Sequence, residues 1–173
     1  MLLEFIAMIA AAFGVAGLVL LVNRGTGRRL PKWALPAGVA AVLLGFAIWS
    51  EYSWFGRVSA TLDPGVEVVA SYAGGALWRP WSYLFPVTDR FVAADTGRMV
   101  RHATVEGQRF LNAYWFQRWG RTRLATLMID CTGRRGIELP PGAPFPVEAV
   151  PPDSAWQPLP PDDPILAAAC KEA

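Results

Sequence analysis

The chain has 173 residues, 53% of them hydrophobic and 17% charged, with a formal net charge of +2. The positive excess is local: residues 51–173 hold 12 Arg and Lys against 13 Asp and Glu, which excludes a basic nucleic-acid footprint there. One histidine and two cysteines are too few for a zinc site of the usual closely spaced Cys and His ligands.

Two apolar runs come first. Phe5–Val22 and Trp33–Trp49 contain no charged residue, and each approaches the roughly 20 residues that carry a helix across a bilayer core. The spacing predicts two transmembrane helices, over about 5–22 and 33–49, joined by a loop at 23–32. That loop carries Arg24, Arg28, Arg29 and Lys32. Basic residues in short loops stay on the cytoplasmic side, so the expected topology puts the loop inside. Both termini would then be periplasmic, in a bacterial inner membrane. A cleaved signal peptide fits less well, because the first residues hold Glu4 and no Lys or Arg.

Small residues recur along both runs, at Ala10, Gly14 and Gly17 in the first and at Ala37, Ala41 and Gly45 in the second. Ala34 and Gly38 repeat the pattern one step round. Small residues four apart let helix backbones approach closely in lipid. One stripe is assigned to packing between the two helices, and the other is left open to a partner. Trp49, Tyr52, Trp54 and Phe55 read as the aromatic belt at the exit. Neither run has an ionisable residue in its interior, which argues against an ion pathway.

Beyond residue 50 the pattern predicts one small, mainly antiparallel α+β domain over 51–173. Gly65–Tyr72 and Arg90–Ala94 read as strands, the second closed by the Asp95–Gly97 turn. Arg109–Trp119 and Arg123–Cys131 read as a hairpin across Gly120–Thr122, followed by a short Ile137–Leu139 strand. Pro140–Pro164 holds ten prolines in 25 residues, an extended crossing rather than regular structure. Asp163 is placed to cap a short helix that opens on Pro164 and runs through Ile165–Cys170. Cys131 and Cys170 both fall in the exported part, where an oxidising compartment favours one disulfide. A catalytic thiol would need a base, and His102 is the lone histidine.

The last third carries a resemblance. A strand ending in Asp130-Cys131, then Arg134-Arg135, Trp156, a proline turn and a helix closing on Cys170 resembles the small exported domains of the surface-adhesin-like group, over about residues 108–171. The resemblance implies the same tie between the Asp-Cys strand and a C-terminal cysteine. The two-helix anchor is foreign to that group. The whole chain is similar to two-span inner-membrane proteins of alphaproteobacterial type, a likeness that implies location and brings no activity.

The candidate interface is the aromatic run Trp78, Arg79, Trp81, Tyr83 and Phe85. Trp, Tyr and Arg dominate interface hot spots, but a small domain must also bury large rings to be stable. Core, interface and membrane seating all remain open for it. His102 with Met99 could be drawn as haem ligands; without a C-x-x-C-H motif, His102 reads instead as a surface histidine beside a turn. Asp89, Asp95 and Glu106 are scattered and form no calcium loop. There is no nucleophile elbow and no phosphate-binding glycine loop, so no catalytic residue, cofactor or metal is expected and the protein is not read as an enzyme.

Two functions fit. In the first, the chain is a non-catalytic accessory or assembly subunit that docks on other integral membrane proteins of a larger complex, for instance a respiratory or photosynthetic one, with the exported domain capping its periplasmic face. In the second, it is a free-standing envelope protein whose domain binds a protein, ligand or cell-wall component.

Overall fold

The computed structural model describes residues 2–140 and 151–171. The chain forms two compact units, 1–54 and 55–173.

The first unit is built from helix α1, Leu2–Gly25, and the greater part of helix α2, Ala34–Ser59. Both are long and apolar enough to cross a membrane, and their apolar surface is almost wholly unburied. The two helices meet along Val15, Val19 and Gly38, where a methyl group on Gly38 would lie 3.3 Å from Val19 Cγ2 and 3.5 Å from Val15 Cγ1. At the opposite end Ser50 Oγ donates to Glu4 Oε1 at 3.2 Å. The connecting loop closes on Asn23, whose Oδ1 accepts the Leu30 N–H at 3.1 Å. Helix α2 runs ten residues past Trp49, so Tyr52, Trp54 and Phe55 are helical. Nothing in SEYSWFGRVS breaks a helix: it contains no proline, and a glycine costs only about 1 kcal/mol in a helix interior.

The second unit is a curled antiparallel sheet of seven strands. They are β1 Val66–Gly74, β2 Val87–Asp95, β3 Val100–Arg101, β4 Gln108–Gln117, β5 Arg123–Asp130, β6 Arg135–Leu139 and β7 Gln157–Pro158. The order is β1-β2-β4-β5-β6-β7, with β3 paired to β4. Two irregularities in β1, between Val68 and Ala70 and between Tyr72 and Ala73, add the local twist that bulges impose. The entry to β1 is tight: Gly65 has φ +92°, and a methyl group on it would lie 2.9 Å from Gly97 Cα. Only glycine suits both the left-handed backbone and that approach.

Alternation sends side chains to two faces. On one, Val92, Ala94, Leu111, Ala113 and Ile129 pack under Ile165, Leu166 and Ala169 of helix α3, Pro164–Cys170. On the other, the Phe91 ring stacks on Phe116 at 4.6 Å between centroids and meets Phe55 of α2 edge-on at 5.2 Å. Helix α3 is closed at both ends. Asp163 Oδ1 accepts the Ile165 and Leu166 N–H groups at 2.8 and 3.0 Å. Arg109 Nη1 donates to the Ala169 and Lys171 carbonyls at 2.6 and 3.2 Å, which suits the negative end of the helix dipole. The expected proline crossing is described only in part: its residues 141–150 lie outside the described residues.

Candidate interaction surfaces

The six small residues singled out in the helices all face outward. Ala10, Gly14, Gly17, Ala37, Ala41 and Gly45 are exposed, and a methyl group added to Gly14, Gly17 or Gly45 would meet nothing within 4 Å. The contact between α1 and α2 falls instead on the Ala34–Gly38 row, because the Val15 and Val19 side chains fill the hollow that Gly38 leaves.

The aromatic run does not enter the core. Leu77, Trp78, Tyr83, Leu84 and Phe85 are exposed, Trp78 at 78% and Tyr83 at 61%, while Trp81 and Arg79 are half-buried. The segment is held out from the sheet by a 3-10 turn, Pro80–Tyr83. Ser82 fixes that turn: its hydroxyl donates to the Arg79 carbonyl at 2.6 Å and accepts the Ala76 N–H at 2.9 Å. Prolines at 80 and 86 and glycines at 74 and 75 keep the rings off a strand, so they cannot alternate into either face. The core reading of this cluster is thereby corrected, and a surface of exposed rings takes its place.

His102 is also placed differently from expectation. It is 7% exposed, not a surface residue. Its Nδ1 accepts the Thr104 and Val105 N–H groups, both at 3.2 Å, and its ring lies over Phe110 at 6.0 Å. With Nδ1 accepting, the neutral ring carries its proton on Nε2. The sequence offered only its lone occurrence; the turn at 103–107 explains it. Among the described residues, no three of His, Cys, Asp and Glu gather as a metal-ligand group.

Cys131 and Cys170 form a disulfide, with Cα atoms 5.6 Å apart and a separation of 39 positions in sequence. Beside it stands a charged knot that the Asp130, Arg135 and Trp156 signature foreshadowed only as a pattern. Asp130 Oδ1 accepts the Thr132 and Gly133 N–H groups at 3.1 and 3.0 Å, and Oδ2 accepts from Arg135 Nε at 2.8 Å. Arg135 Nη1 also reaches Asp153 at 3.0 Å, and the guanidinium lies 4.7 Å over the Trp156 ring. Burial by itself would raise the Asp130 carboxyl, but the Gly133 N–H, the Arg135 guanidinium and the Thr132 N–H outweigh it and hold it below the ordinary carboxylate value. Both Asp130 oxygens are thus engaged within the domain, and they tie the turn after β5 to β6.

One cleft was not foreseen. It has a volume of about 600 Å³ and opens on the sheet face that α3 covers only in part. Register builds it: Tyr72 pairs with Arg90 and Arg90 with Gln117, and in the next row Val92 pairs with Trp115 and Trp115 with Arg123. These residues lie on four strands, so their sequence spacing gave no sign of them.

Compared with protein families, with curated proteins and with solved structures, the chain matches none. The fold and these surfaces define it as a protein with two long apolar helices followed by a disulfide-closed antiparallel domain.

Proposed function

We propose that the chain is an inner-membrane protein that works through contacts, as a non-catalytic accessory or assembly subunit of a larger membrane complex. Helices α1 and α2 cross the bilayer, the basic loop 23–32 stays in the cytoplasm, and the sheet domain sits on the periplasmic side. The observation that carries the reading is the outward row Ala37, Ala41 and Gly45. Pairing of the two helices leaves this row uncovered, so it offers another helix the close backbone approach on which association in lipid depends. The exposed rings of Trp78, Tyr83 and Phe85 add a second contact of the composition that interfaces favour.

Co-purification in mild detergent tests this. The wild-type chain should come out in a stoichiometric complex, and Ala41→Leu or Gly45→Leu should come out alone, with the disulfide intact and the tryptophan emission unchanged. A wild-type chain that purifies as a lone monomer overturns the reading.

A further inference from the structure

The cleft on the sheet is cationic at one part and apolar at the next. Arg90, Arg121 and Arg123 line it, and no carboxylate of the described residues does. Two of the three guanidiniums are set on aromatic platforms: Arg90 lies 5.6 Å from the centre of the Tyr72 ring, and Arg123 5.3 Å from that of Trp115. Stacking of this kind orients a guanidinium and leaves its donors pointing sideways.

The nearby carboxylates account for only part of this charge. Glu138 takes Arg123, with both its oxygens 2.6 Å from Nη2, and Asp89 stands 3.8 Å from Arg90. Arg121 makes no ion pair with any described residue. Only Arg123 is closely paired, and Arg121, with Arg90 beside it, is left to meet an anion. A second hollow of about 250 Å³ shares Tyr72, Val92 and Trp115 with the cleft and continues over Leu127 and Ile129 to the start of α3. Its two carboxylates are occupied, Glu138 by Arg123 and Asp163 by the first turn of α3.

We propose that this cleft is a binding site for a free monocarboxylic acid with an apolar, partly flat body. The carboxylate is received by Arg121 and Arg90, for which paired N–H donors of a guanidinium are the matching shape. The body lies across Trp115 and Val92 toward Leu127. The size is right for such a ligand, since small-molecule sites run from about 300 to 1,000 Å³. Of the three, only Arg121 has no ion pair with a described residue, which selects a single anionic head over a dianion. The proposal goes beyond docking on a membrane complex and does not depend on it, because every residue it uses lies in the sheet domain, outside the two long helices.

The test uses the full chain in nanodiscs of phosphatidylcholine, with 4-(trifluoromethyl)cinnamate as probe, its primary amide as the uncharged control, and ¹⁹F NMR as the readout against empty discs. The carboxylate should bind saturably at one site and the amide at least about tenfold more weakly. Arg121→Gln, at an exposed position that leaves the core untouched, should weaken the carboxylate by a similar factor and leave the amide unchanged. Arg101→Gln, outside the cleft, should change neither. Equal binding of acid and amide, no saturation in the millimolar range, or an unaltered titration in Arg121→Gln overturns the proposal. So does displacement of the probe by phosphatidylglycerol in the disc, which would give the site to a lipid headgroup.

Discussion

Two buried polar side chains show how single residues hold this domain. His102 satisfies two N–H donors of its turn with one ring nitrogen. Replacing it with Ala leaves those donors without their acceptor and uncovers Phe110, which should cost about 1–3 kcal/mol. The check is the urea midpoint of the tryptophan-monitored transition, together with faster amide exchange at Val105; an unchanged midpoint would mean that water replaces the ring without loss. Asp130 acts through charge. Its folded carboxyl is held below the ordinary value, so the stabilisation it brings is complete above the unfolded value of about 3.9 and is lost as pH falls through the lower, folded one. Stability should therefore decline on acidification below about pH 4, and Asp130→Asn should be less stable at neutral pH and flatter in that acid range. A variant with the same acid slope as the wild type would assign the decline to other carboxylates.

At the scale of elements, α3 is the piece most dependent on others. Seven residues are too few to be helical alone. It stands because Asp163 caps one end, Arg109 closes the other, and Cys170 is bonded to the end of β5. Cys170→Ser should lower stability by about 2–4 kcal/mol, read as a shift in the denaturation midpoint, and should raise the exposure of Leu111 and Ile129 to solvent. If the midpoint does not move, packing and the two caps suffice. These ends of α3 were legible in the sequence, since Asp-Pro before an apolar run is a local signal. So were β1, β4 and β5, whose lengths let alternation show. The strands β3 and β7 were not, because two residues each carry no period and owe their pairing to their neighbours. The end of α2 was misplaced because aromatic residues at a bilayer exit and inside a helix look the same in sequence. The cleft was hidden for a different reason: Tyr72, Arg90, Trp115 and Arg123 become neighbours only through a register set by bulges and turns.

For the whole molecule, the decisive quantity is the side on which each part lies. The four basic residues of loop 23–32 should hold that loop in the cytoplasm. A reporter fused after Ala173 should then be active only if it functions in the periplasm. Activity of a cytoplasm-only reporter at that position would overturn both the localisation and the compartment argument for the disulfide.

The order of synthesis also bears on the disulfide. The ribosome makes Cys131 39 residues ahead of its partner, a delay of about 2–8 s at ~5–20 residues per second. Through that interval Cys131 is a single thiol, and the face of Val92, Leu111 and Ile129 has no lid. The lid over that face can therefore be fastened only at the very end of synthesis, once Cys170 has followed Cys131 out.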